Sequence, residues 1–193
     1  MGRPREFDPA EALDKAMHLF WSKGYFDTSI RDLVAGTGVN YYGLYDAFDS
    51  KHGLFLAALD HYRDTVTRDI GAALRDAEPG PDAIAVALTT ARDRVQAEEP
   101  DSGCLMCNTA IELAPHDAEA AAKVQTHMTM LREAFEAVLR EAQAAGTIAA
   151  DKDAAALAEF FATTTYSIGL LLRAGCGEGM VERHIRTALS VLD

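Results

Sequence analysis

GYFDTSIRDLVAGTGVNYYGLYDAFDSKHGLF, running from Gly24 to Phe55, is the stretch that decides the fold. Thr28 is placed to cap a helix whose inner side carries Ile30, Leu33 and Val34 and which stops near Gly36-Thr37-Gly38. Asn40 caps a second short helix with Leu44 and Phe48 one turn apart on its inner side. Ser50 then opens a longer helix through Leu54, Ala58, Tyr62, Val66, Ile70 and Ala73. A short helix, a glycine-bearing tight turn and another short helix make the helix-turn-helix pattern. In that motif the first helix braces the second, whose N-terminal residues meet base edges in the major groove of DNA. Val39, Leu44 and Phe48 fit the inward anchor positions. Tyr42, Gly43, Tyr45 and Asp46 point away from them, and Tyr41 sits on the border between core and groove.

The same helical period extends in both directions. Upstream, Asp8 reads as an N-cap, Pro9 as the first helical residue and Glu11 as a capping-box partner, ahead of the stripe Leu13, Ala16, Met17 and Phe20. Downstream, Glu78-Pro79-Gly80-Pro81 and Glu99-Pro100-Asp101-Ser102-Gly103 are the strong breakers, with a fifth helix between them. A sixth helix runs from about Cys104 to Ala114. Asp117 caps a seventh, striped with Val124, Met128, Leu131, Phe135 and Val138, and Asp151 or Asp153 opens a more broadly apolar eighth. A ninth follows Gly175-Cys176-Gly177. With no period-two alternation of β-branched residues, the sequence predicts an all-α fold of nine helices.

Composition narrows the function classes. Of 193 residues, 49% are apolar, enough for a substantial core, and the formal net charge is −12. Residues 1–55 hold six basic and eight acidic side chains, so a DNA-binding reading rests on motif and geometry, because charge alone counts against it. Met1–Asp8 contains no apolar signal core, and no apolar run is seen to approach the ~18 residues of a membrane span, so no membrane partner is expected. Three cysteines fit a reducing compartment better than a disulfide framework, and the expected location is the cytoplasm.

The 24–55 segment resembles the DNA-binding domain of the TetR (tetracycline-repressor-like) family. Gly24, Tyr25, Thr28, Ser29, Asp32 and Leu33, then Gly38, Val39, Asn40, Leu44, Tyr45, Phe48, Ser50, Lys51 and Leu54 match its pattern in one register. The nine-helix layout extends the likeness, more weakly, over the rest of the chain. The resemblance implies a three-helix DNA-binding domain over 1–50 and a helical ligand-binding and dimerisation domain over 51–193. It implies a regulator, ordinarily a repressor, that binds a near-palindromic operator as a homodimer and is released by a small-molecule effector.

By that likeness Tyr41, Tyr42 and Gly43 stand at the base-reading end of the recognition helix, and Thr28, Tyr45 and Lys51 at phosphate-contacting positions. Ser29 and Asn40 join the candidate DNA-contact set, and Arg3 and Arg5 join it as a basic arm for the minor groove or a frayed tail. Asp46 departs from the family pattern; it either accepts from a cytosine amino group or is a solvated acid.

For the effector the candidates are Tyr62, Met106, Asn108, Glu112, His127, Met128, Phe135, Phe161, Thr164 and Tyr166, within an apolar region carrying a few polar groups. Gly103-Cys104-Leu105-Met106-Cys107-Asn108 matches a segment shared by some family members. Cys104, at a helix N-terminus, is expected to have a lowered pKa, with Cys107 one turn on as a resolving thiol, which makes a thiol-reactive effector one reading. A packed, inert pair is the second. A metal site is the third, although His116, His127 and Cys176 stand at no zinc-ribbon spacing. Neither metal nor cofactor is expected. The last two helices are expected to dimerise through Phe161, Ile168, Leu171, Leu172, Ile185 and Leu189.

Two rival functions remain at this level. One is a thiol oxidoreductase using Cys104 and Cys107, although that motif ordinarily accompanies a βαβ unit and no strand is predicted here. The other is a helical adaptor without DNA binding, favoured only by the acidic charge.

Overall fold

A computed structural model describes residues 7–99 and 101–193, and Arg3 and Arg5 therefore lie outside the described residues. Among those described, the chain forms nine helices and no strand. They are α1 (Pro9–Lys23), α2 (Ile30–Thr37), α3 (Tyr41–Phe48), α4, α5 (Pro81–Glu98), α6 (Leu105–Glu112), α7 (Ala118–Ala145), α8 (Ala154–Arg173) and α9 (Glu178–Leu189). A 3₁₀ turn, Ser190–Leu192, ends the chain. Helix α4 is continuous but irregular: Lys51–Tyr62 and Arg68–Asp76 are α-helical, and Arg63–Thr67 between them is a π-turn.

Local chemistry explains most boundaries. Asp8 accepts from the Ala10 N–H at 2.9 Å with Pro9 at the first helical position, whereas the Glu11 carboxylate pairs with Lys15 instead of closing a capping box. Asn40, Ser50, Asp117 and Asp153 each cap the following helix through their side chains. The cap of α2 is Ser29, which forms a reciprocal capping box with Asp32. Thr28 is instead fully buried, and its hydroxyl donates to the Gly24 carbonyl at 2.6 Å. The correction is physical: one residue of register decides whether a hydroxyl caps a helix or closes the preceding turn.

Helix α1 packs on α2 and α4, so the small N-terminal unit shares its core with the larger one. Trp21, Phe20 and Phe55 are buried there, with Phe20 meeting Phe55 edge-on at 4.9 Å. In the C-terminal part α7 and α8 pair closely, and α5 and α9 pack against α8. Helix α8 is long and apolar enough, by length and composition, to cross a membrane; here it is the central helix of the bundle. Phe161 and Ile168 are fully buried on its inner face, and Leu172 and, from α9, Ile185 are nearly so.

That burial removes four of the six residues expected at the dimer interface. Phe161, Ile168, Leu172 and Ile185 stabilise the protomer itself, while Leu171 and Leu189 are only partly buried against the same core. The large apolar side chains left exposed on these two helices and the terminal turn are Phe160, Leu170, Met180 and Val191. A helix apolar around most of its circumference has two faces to bury, and periodicity alone does not say which one meets a partner.

Candidate nucleic-acid interface and sensing cavity

Helices α2 and α3 form the helix-turn-helix, with Gly38 in a left-handed conformation closing α2. Leu33, Val39 and Leu44 are buried between them and α1, which fixes the orientation of α3. Tyr42 is 82% exposed at its N-terminal end. Tyr41 also faces out, its ring stacked on Tyr45 at 4.2 Å, so the border residue of the sequence belongs to the surface. The three tyrosines present one aromatic, hydroxyl-tipped face. Gly43 packs inward: a Cβ there would lie 2.9 Å from Val39 and 3.1 Å from the Phe7 ring. It serves to seat α3 closely. The Asn40 carboxamide accepts from the Gly43 N–H at 2.9 Å.

Lys51, at the start of α4, lies 4.3 Å from the centre of the Tyr25 ring. Burial lowers its pKa, and the nearby Glu112, Asp27 and Asp32 carboxylates oppose that shift. The Asp32 carboxyl is held well below the usual range, first by Lys23 and then by Ser29. Buried Thr28, by contrast, offers no surface to a phosphate, which corrects its place in the contact set.

The C-terminal part reaches this unit through hydrogen bonds that the sequence did not reveal. The Glu112 carboxylate, expected in the cavity, accepts from the Tyr25 N–H at 3.1 Å and the Phe26 N–H at 2.8 Å. Gly24 makes room for it: φ is +88°, and a Cβ there would fall 2.7 Å from a Glu112 oxygen. The buried Trp21 indole N–H donates to the Gly103 carbonyl at 2.6 Å. Helix α6 and the loop before it are thus tied to the turn that leads into α2.

Inside the bundle, Tyr62, Val66, Thr67, Ile70, Ala91, Val95, Cys104, His127, Leu131 and Thr165 surround a cavity of about 20 Å³. That is room for about one water molecule. The His127 ring nitrogens meet the Thr67 hydroxyl at 2.9 Å and the Tyr166 hydroxyl at 2.6 Å. Burial, and then the nearby Arg63 charge, lower its pKa to about 4, so the ring is neutral at pH 7. The Tyr62 hydroxyl donates to the Cys104 sulfur at 3.6 Å.

Of the effector candidates, Tyr62, Cys104 and His127 meet at this cavity. Met106 and Phe161 are plain core, and the Thr164 hydroxyl bonds back to the Phe160 carbonyl. The Asn108 carboxamide donates to the Ser102 carbonyl at 2.8 Å and braces the loop before α6. Tyr166, another of the candidates, reaches the site through His127, while Thr67 and Thr165 join it unforeseen, the first because the π-turn shifts the register of α4.

Cys104 does stand at the N-cap of α6, but it is 8% exposed, and burial pushes its thiol up to about 11. The expected lowering is overturned because removing a thiolate from water outweighs one helix terminus. Cys107 is half-buried; burial also raises its pKa, and Arg173 opposes the rise. Among the described residues, no three His, Cys, Asp or Glu side chains are grouped to hold a metal ion.

This architecture defines a helix-turn-helix regulator with an all-helical domain behind the reading head. Residues 12–58 match the family model described as bacterial regulatory proteins, tetR family, and residues 80–188 match tetracyclin repressor-like, C-terminal domain. The transcriptional repressor ComR of Escherichia coli (strain K12) is 34% identical over 175 residues, covering 90% of this chain and 83% of that one. An uncharacterized regulator of Bacillus subtilis (strain 168), YezE, is 30% identical over the full length of both chains. Among solved structures, a cysteine mutant of the TetR-family regulator CifR complexed with a 26-bp operator duplex superposes with a TM-score of 0.90 at 29% identity, covering both chains completely. The chain belongs to the TetR family and is a DNA-binding transcriptional regulator. The oxidoreductase alternative has no support in these relatives or in the raised cysteine pKa values.

Proposed function

We propose that the chain is a homodimeric cytoplasmic repressor, without enzymatic activity, that binds a near-palindromic operator and is released by a non-covalent small-molecule effector. The observation that carries this reading is the exposed tyrosine face of α3, held by a buried Leu44 anchor. Residues 1–50 act as the reading head and 51–193 as the sensing and pairing unit. Tyr41, Tyr42 and Tyr45 face the groove, while Ser29 and Lys51 stand at the backbone.

Two copies pair through a stripe of α8 made of the exposed Phe160, Thr163 and Leu170 and the half-buried Ser167, together with Met180 and Val191. The spacing of three and four residues along α8 keeps that stripe on one side of the helix. Paired in this way, the recognition helices sit about 34–36 Å apart, one turn of DNA. The raised Cys104 pKa disfavours thiol chemistry as the trigger and favours a ligand that opens the small cavity. A gel-shift titration against the chain's own upstream DNA tests the proposal: the duplex is retarded and a scrambled competitor fails to displace it. Equal competition by the scrambled duplex refutes it.

A further inference from the structure

Helix α4 and helix α7 enclose a second space, outside the buried cavity and separated from it by Thr67 and Leu131, which line both. Its volume is about 380 Å³, within the range of small-molecule sites. Arg63, Asp64, Arg68 and Arg75 are its charged lining from α4, three cations against one carboxylate, and Met130, Leu131 and Ala134 supply an apolar wall from α7.

The charges there are not balanced. Arg63 is held by Asp60 and Asp64, each at 2.9 Å. Arg68 and Arg75 form no ion pair with any described residue, in a chain whose net charge is −12. Helix α4 also carries Gly71 between them, a residue type that weakens a helix interior relative to alanine. A Cβ on Gly71 would meet only the Arg75 guanidinium, at 3.1 Å. That guanidinium therefore lies back over Gly71, along the floor of the space. The π-turn Arg63–Thr67 borders the same space, and such turns recur at functional sites.

We infer that this space binds a monocarboxylate with a hydrocarbon tail. The Arg68 and Arg75 guanidinium groups take the carboxylate, since their planar N–H forks match its two oxygens. The tail lies against Met130, Leu131 and Ala134. The inference goes beyond the effector reading above, because it places this ligand in the outer space and not in the small inner cavity. Thr67 connects the bound anion to His127 and the inner cavity.

The test is calorimetric titration of the full chain with sodium octanoate, and with 1-octanol as the uncharged control at matched ionic strength. Octanoate binds saturably, and octanol binds at least about tenfold more weakly. The double variant Arg68→Gln/Arg75→Gln, at two exposed positions and checked for helicity by circular dichroism, reduces octanoate to the level of octanol. Gly71→Leu, which fills the floor, blocks both. Absence of octanoate binding, equal binding of octanol, or undiminished binding to the double variant overturns the assignment. No DNA is present, so failure here is separable from failure of the repressor reading, which the gel shift alone decides.

Discussion

Replacing Glu112 with alanine removes the contact by which α6 holds the turn before α2. Two backbone N–H groups lose a charged acceptor, at 3.1 Å for Tyr25 and 2.8 Å for Phe26. A hydrogen bond to a charged group contributes about 1.5–3 kcal/mol. The Phe26 N–H is exposed and is rehydrated in the variant, so that bond contributes little. The Tyr25 N–H is part-buried and regains water incompletely. The expected net loss is therefore about 1–2 kcal/mol, and not the sum for two buried bonds. For a chain of this size it lowers Tm by roughly 2–8 °C. Scanning calorimetry measures the shift, and hydrogen exchange at Tyr25 and Phe26 locates it. Glu112→Gln, which keeps one acceptor oxygen without the charge, falls between wild type and Glu112→Ala. An unchanged Tm together with unchanged exchange at those two amides would refute the reasoning.

Three further outcomes follow from the geometry. The His127 pKa is about 4 in the fold against an ordinary 6.5, so the unfolded chain binds more protons between those values and stability falls as pH drops across that window, by up to about 3 kcal/mol. Denaturant titrations at pH 7 and pH 4.5 show a smaller loss for His127→Gln; an equal loss contradicts the assignment. Iodoacetamide at pH 7.5 alkylates Cys107 and Cys176 before the buried Cys104, as read by peptide mass spectrometry, and Cys104 reacting first would restore the thiol-sensor reading. Leu170→Glu puts a charge on the proposed pairing stripe and yields monomers in sedimentation, while Phe161→Ala weakens the protomer core by about 3–5 kcal/mol.

The reading head was legible in the sequence because its constraints are local. The caps at Asn40 and Ser50, the anchors Val39 and Leu44 and the outward Tyr42 are each set within a few residues. The sensing region was legible only as helices. Whether Phe161 or Phe160 faces a partner depends on where α5, α7 and α9 pack, and Thr67 enters the cavity because of a π-turn that no periodicity announces. Glu112 carried a visible motif match, but its partners lie 86 and 87 residues away in sequence. Cys104 shows the limit most plainly: its helix-terminal position was readable and its burial was not.

The central claim is that α3 reads DNA sequence through its tyrosine face. Its most direct test is a fluorescence-anisotropy titration of wild type and Tyr42→Ala against the upstream operator duplex and a scrambled duplex, each over a range of salt. The account predicts that wild type prefers the operator by about 10³-fold or more. In Tyr42→Ala that preference narrows by about 1–3 kcal/mol, while salt-sensitive binding to the scrambled duplex is kept. A Tyr42→Ala protein with the full wild-type preference would contradict it.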